Sequence, residues 1–222
     1  MLQLARRSAV KARTQAGQQI RSLIITAPTE LNNALAGLTT GQQVACCLRL
    51  RRDRGNGALP VTKHALHSLA GRWQRLDREI DELEHDLHAL TNAAAPRLLR
   101  EPGIGPDTAG KLLVIASGNP GRLRSDAALA ALCGASPVEA STGKTRRHRL
   151  NKGGDRQGNN ALWTIANNRL IHDPETRAYA ARRTAEGLSR KEILRCLKRH
   201  LARRLYPLLL ADLRDAANLD LT

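Results

Sequence analysis

The sequence predicts a mostly α-helical protein: an N-terminal helical and coiled-coil segment, then a compact helical domain holding a glycine hairpin between two helices and a basic, glycine-rich loop. Three observations carry this. Apolar residues recur at three- and four-residue spacing over long stretches; capping residues and Gly or Pro turns separate those stretches; and residues 134–156 are too polar and glycine-rich to be helical.

With 222 residues, 41% of them hydrophobic and 25% charged, the chain can bury one good core or two smaller ones, which argues against disorder. The net charge of +16 is not ordinary. A surface this cationic repels itself unless a polyanion neutralises it, so nucleic acid is the natural partner. With no Phe and only Trp73, Trp163, Tyr179 and Tyr206, the sequence offers no run of aromatic platforms for unpaired bases, and duplex DNA is favoured over single strands. The four cysteines, Cys46, Cys47, Cys133 and Cys196, make no C-x-x-C pair and stand at no zinc-finger spacing from His, so they read as small hydrophobes in a reducing compartment. No apolar run reaches the roughly 18 residues that span a bilayer, and no signal-peptide core follows the first residues. The expectation is a soluble, cytoplasmic protein with no membrane partner.

The first element, to about Thr26, is a basic helix carrying Arg6, Arg7, Lys11, Arg13 and Arg21, with Ile20, Leu23 and Ile24 at helical spacing and Ala27-Pro28 closing it. From Leu59 to Leu90 the apolar residues alternate by three and four: Leu66, Leu69, Trp73, Leu76, Ile80, Leu83, Leu87 and Leu90. About four heptads of this pattern predict a coiled-coil seam. The acidic run Asp77 to Asp86 flanks and opposes that seam and reads as a solvated face paired with basic neighbours, not as a metal cluster. Either the N-terminal helix, folding back through Gly55-Asn56-Gly57, or a second copy of the protein can cover the seam, the latter giving a homo-oligomer. Residues Asn92 to Pro96 break the helix, so the organisation expected is 1–95 basic helix and coiled coil, 96–210 a C-terminal domain, and 211–222 a tail.

After the break, Pro102-Gly-Ile-Gly-Pro permits a tight turn into a helix, with backbone amides able to face a phosphate. The pattern looks like a helix-hairpin-helix motif, and Gly103, Gly105, Thr108 and Lys111 are its candidate DNA contacts. Gly118-Asn119-Pro120-Gly121 ends that pair of helices, and Ser125-Asp126 caps a short helix to Cys133. The following loop is dense with Lys144, Arg146, Arg147, Arg149, Lys152 and Arg156, which suits close approach to phosphates. A helix from Gln157 to Leu170 and another from Glu175 to about Arg183, capped by His172-Asp173-Pro174, lead to a last helix from Ser189 to Leu210. That helix places Ile193, Leu194, Leu197, Leu201 and Leu205 inside, and its other face is almost purely cationic. Arg195, Lys198 and Arg199 on it are therefore candidate phosphate contacts.

Through Pro102-Gly-Ile-Gly, Cys133-Gly-Ala-Ser-Pro, Ser141-Thr-Gly-Lys, Arg149-Leu-Asn-Lys-Gly-Gly-Asp-Arg and the basic terminal helix, residues 98 to about 207 resemble the C-terminal domain of insertion-sequence transposases of the IS110 type, relatives of the Piv DNA invertase. The resemblance implies a two-part enzyme, in which an N-terminal RuvC-like domain holds metal on four acidic residues and the C-terminal domain supplies a serine nucleophile. It also implies assistance by a guide or bridge RNA in at least part of the family. Two departures stand out. No acidic D…E…D-x-x-D set precedes residue 76, so this chain is expected to bind no cofactor itself, with Mg2+ entering only alongside a RuvC-like domain. The family places Ser directly before the glycine, whereas here Ser141-Thr142-Gly143 puts threonine there, so Ser141 and Thr142 are both candidate nucleophiles. A hydroxyl in this loop needs a base, a metal or nearby cations to attack a phosphodiester. The functional expectation is a DNA-binding, strand-exchanging domain that becomes catalytic when a RuvC-like domain is supplied. The alternative is a non-catalytic duplex-binding remnant.

Overall fold

The structure, a computed structural model, describes residues 1–51, 57–139, 148, 149 and 151–219. It is mostly α-helical, with ten helices and one two-stranded ribbon among the described residues. The chain divides into two compact units, Met1–Asp86 and Leu87–Thr222.

In the first unit, α1 (Leu2–Ile25), α2 (Thr29–Leu35) and α3 (Thr40–Arg49) pack with the start of α4 (Ala58–Ala94) around Ile20, Ile24, Leu31, Leu35, Val44, Cys47, Leu66 and Ala70. The two short helices were not assigned from the sequence. They are held by side chains that satisfy loose backbone ends: Asn32 donates to the Ile24 carbonyl (2.9 Å), buried Gln43 donates to the Leu35 carbonyl (3.1 Å), and Thr39 with Gln42 forms a capping box at the start of α3. Helix α1 meets α4 through individual side chains. Arg13 pairs with Asp77 and lies 5.5 Å over the Trp73 ring, Arg6 pairs with Glu84, and Gly17 rests against the Trp73 indole. Two acids of the run thus offset two of the cations of α1. Residues Gly55 and Asn56 of the expected turn lie outside the described residues.

The second unit runs α5 (Pro96–Leu99), α6 (Pro106–Ser117), α7 (Asp126–Leu132), β1 (Val138–Glu139), β2 (His148–Arg149), α8 (Arg156–His172), α9 (Pro174–Ala185) and α10 (Arg190–Leu219). Its core joins Leu98, Leu112, Leu129, Leu162, Ile165, Leu205 and Leu209, each fully buried and each contributing about 1.5–3 kcal/mol. Helix α10 is the spine, touching α5, α6, α7, α8 and α9. The caps read from the sequence hold: Ser125 Oγ accepts from the Ala128 amide (3.1 Å) and Asp173 accepts from the Thr176 amide (3.1 Å). Helix α10 does not stop at Leu210 as expected but runs through Pro207 to Leu219. The reason lies in Asp212, whose fully buried carboxylate accepts from the Arg97 and Leu98 amides (3.2 and 3.0 Å) and the Arg97 guanidinium (3.2 Å). It caps α5 from across the domain, so the last turns of α10 are fixed by a charge-assisted contact that sequence periodicity does not display.

Candidate nucleic-acid interface

Two glycine-bearing segments, 133–137 and 151–155, meet at the foot of a β-hairpin. Gly134 has φ +61, a left-handed conformation that favours glycine, and a Cβ on Gly154 would stand 2.0 Å from the Gly134 nitrogen. Asp155 donates its amide to the Leu132 carbonyl (2.6 Å), and the Asn159 amide donates to the Cys133 and Gly134 carbonyls (2.9 and 3.0 Å). Above this clamp β1 and β2 pair antiparallel, Val138 opposite Arg149 and Glu139 opposite His148. Glu139 and His148, the residues that flank segment 140–147 in sequence, are therefore about 5 Å apart. Ser141, Thr142, Lys144, Arg146 and Arg147 belong to that segment and lie outside the described residues.

Beside the foot opens a cleft of about 610 Å³. One wall is Ala135, Ser136, Pro137, Arg149 and Asn151; the other is Arg183, Glu192, Arg195, Arg199 and His200. Three of the candidate cations, Arg149, Arg195 and Arg199, are thus brought together from the hairpin and from α10. Arg199 donates to Asp126 (2.9 Å), and this bond is the main reason the Asp126 carboxyl is held below the usual carboxylate range. Arg195 stands 3.7 Å from Glu192. Lys198, on the same helix, is not at the surface: it is 5% exposed and donates to Asn159 Oδ1 (3.1 Å), which ties α10 to the hairpin foot. Burial, then the neighbouring Arg195, lowers its pKa.

The remaining candidates lie elsewhere in the unit. Lys152 and Arg156 line a second groove of about 540 Å³ with Asn160 and Trp163. Lys111 reaches its edge, donating to Asp107 (2.6 Å) and Asn160 (3.2 Å). In the turn before α6, Gly103 (φ +78) faces α8, where a Cβ would meet Asn168 Oδ1 at 3.2 Å and Arg169 Cγ at 3.3 Å, while Gly105 has open space at its Cβ position. Thr108 is buried, and its hydroxyl is committed to the turn, accepting from the Gly105 amide (3.1 Å) and donating to the Gly105 carbonyl (2.9 Å). Sequence reading did not single out Arg183, His200, Asn159 or Trp163. Their common signal is polar or aromatic character next to the buried stripe of α8, α9 or α10, visible only once those helices are placed.

Many of the acids here serve cations or helix ends. Glu101 receives Arg169 (2.9 Å) and Arg204 (2.7 Å), Asp155 accepts from the Gln157 and Gly158 amides at the start of α8, and Asp212 caps α5. Among the described residues no group of three or more His, Cys, Asp or Glu is placed to hold a metal ion. No described helix is long and apolar enough to cross a membrane.

Residues 95–181, which include the glycine turn, the hairpin foot and α8, match the profile of the Transposase IS116/IS110/IS902 family. The chain is also 31% identical over 164 residues to an insertion element IS110 uncharacterized 43.6 kDa protein of Streptomyces coelicolor. That alignment takes in 72% of this chain and 38% of the relative, so the chain spans well under half the relative's length.

Proposed function

This chain belongs to the IS116/IS110/IS902 transposase family, as the C-terminal portion of an IS110-type protein, and on that premise we propose that it grips duplex DNA for an insertion-sequence transposase and presents a loop hydroxyl to a phosphodiester. The observation that carries the reading is the convergence of Arg149 from the hairpin with Arg195 and Arg199 from α10 in one cleft at the base of segment 140–147. A duplex backbone laid along that cleft meets guanidinium groups suited to bidentate phosphate contact, and Ser141 and Thr142 follow the end of β1 closely in sequence. Lys111 and the open side of Gly105 extend the contacted backbone.

In the reaction proposed, the oxygen of Ser141 or Thr142 attacks phosphorus. The new O–P bond forms as a P–O bond to deoxyribose breaks, the hydroxyl proton is lost, and the leaving oxygen takes up a proton. Nearby Arg side chains stabilise the charge that gathers on the phosphoryl oxygens. Metal ions would enter with a RuvC-like domain and supply Lewis-acid stabilisation of the reacting oxygens. The test incubates the chain with supercoiled DNA and magnesium, alone and with a RuvC-like domain from a related transposase added in trans, and looks for a protein–DNA adduct on a denaturing gel. An adduct in the mixture, lost in S141A or T142A, supports the reading and names the attacking hydroxyl. An adduct from the chain alone contradicts the division of labour. A second reading, a duplex-binding remnant without chemistry, is favoured by the threonine before Gly143, since a secondary hydroxyl is more hindered. Absence of adduct in the mixture, with DNA binding intact, selects it.

A further inference from the structure

Helix α8 carries Trp163 with its side chain turned outward, 48% exposed, in a chain with few aromatic residues. It forms one wall of the groove of about 540 Å³, a size ordinary for a small-ligand site. The neighbours are not apolar. Lys152 and Arg156 line the groove, both exposed and neither with an acidic partner among the described residues. Asn160 accepts from Lys111 through Oδ1, and its Nδ2 donor has no acceptor among the described residues. The floor is closely packed and hydrogen-bonded: Gly154 is pressed against Gly134, and Asn159 spends its amide on the Cys133 and Gly134 carbonyls and its Oδ1 on Lys198. At the start of α8, Asp155 already takes the first amides, so an anion here must be held by the side chains and not by the helix end.

An exposed indole face, an unused amide donor and two uncompensated cations in one groove match the three parts of a nucleotide: a flat base, a base carbonyl and a phosphate. A paired base inside a duplex keeps both faces covered by its neighbours and cannot use the indole. We propose that the groove beside Trp163 holds one unpaired nucleotide of a nucleic-acid strand, its base stacked on the indole, a base carbonyl accepting from Asn160, and its phosphates held by Lys152 and Arg156. The scarcity of aromatic residues limits the site to a single base, which is why composition alone pointed away from single strands.

The experiment uses the full chain with the W73F substitution, so that Trp163 is the one tryptophan reporting. It is titrated with oligothymidylate and oligouridylate of about ten nucleotides, an abasic strand of equal length and a blunt duplex. The result expected is quenching by the thymidylate or uridylate strand and little by the abasic strand. In addition, W163A should weaken strand binding at least about fivefold, W163Y should stay within about twofold of the parent, and duplex affinity should be unchanged by either. Tighter binding of thymidylate assigns the site to DNA, tighter binding of uridylate assigns it to RNA, and either supports the proposal. Equal quenching by the abasic strand, or equal loss of strand and duplex affinity in W163A with unchanged helicity, would overturn it. Loss of duplex affinity on altering the Arg cleft, with Trp163 quenching intact, would separate this site from the duplex-gripping one.

Discussion

At Gly154 the backbone passes so close to Gly134 that any side chain must push the two segments apart. G154A should therefore cost about 1–3 kcal/mol or more, read as a fall in the urea midpoint with little change in slope, whereas G105A, with open space at its Cβ position, should cost under about 1 kcal/mol. Cys133 is packed behind the same foot, and burial, then the charge of Asp155, pushes its thiol up to about 12; burial also pushes Cys47 up to about 11. In a native-state thiol titration near pH 8, Cys46 and Cys196, both half-buried, should react well before Cys47 and Cys133. If all four react at one rate, the foot is not closed. The glycine pairs and the Cys133-Gly134 step were visible in the sequence as turn formers, but their meeting across some twenty positions was not, because a close backbone approach has no local pattern. Lys198 makes the converse case. A helical projection places it with the cations of α10, and only the packing of that helix against α7 and α8 turns it inward to Asn159.

Elements with strong end signals were legible. Helices α6 to α9 begin near the Gly, Ser, Asp or Pro residues that cap them, and α1 closes before Ala27-Pro28. The short α2 and α3 were not, since seven and ten residues give too few turns for periodicity, and the run of α10 past Leu210 depends on Asp212 reaching another element. Glu101 shows what holds elements together here: it joins the turn after α5 to α8 through Arg169 and to α10 through Arg204. Burial alone would raise its pKa, but the hydrogen bonds from Arg204 and Arg169 outweigh this and the net shift is downward. A carboxyl whose folded pKa is lowered adds stability that is complete above its unfolded value, near about 4.3, and is lost as pH falls through the lower folded value. Asp126 and Asp173 shift in the same direction. Stability should thus hold near neutrality and decline below about pH 4. E101Q should lose about 1–3 kcal/mol at pH 7 and show a shallower acid decline, measured by urea unfolding at several pH values. An acid limb of unchanged steepness would mean that this carboxylate is not ionised against its arginines.

For the whole molecule, the charge of +16 pointed to a polyanion but not to where it would lie. In the first unit Arg6 and Arg13 pair with Glu84 and Asp77; in the second Arg149, Arg195 and Arg199 line one open cleft, where Arg199 also pairs with Asp126 and Arg195 stands 3.7 Å from Glu192. Sequence could nominate those cations from the polar loop and the basic helix face; their convergence needed the hairpin foot and the α10 spine. The central claim is that this cleft is where duplex backbone is gripped, and it is tested most directly by duplex affinity across a salt series for the parent chain and for R149E/R195E. The account predicts a steep log–log decline for the parent. For the variant it predicts affinity lowered at least about tenfold on every duplex sequence at low salt, and a slope smaller by about two, one for each phosphate contact removed. Equal affinity and equal slope for the two proteins would contradict it.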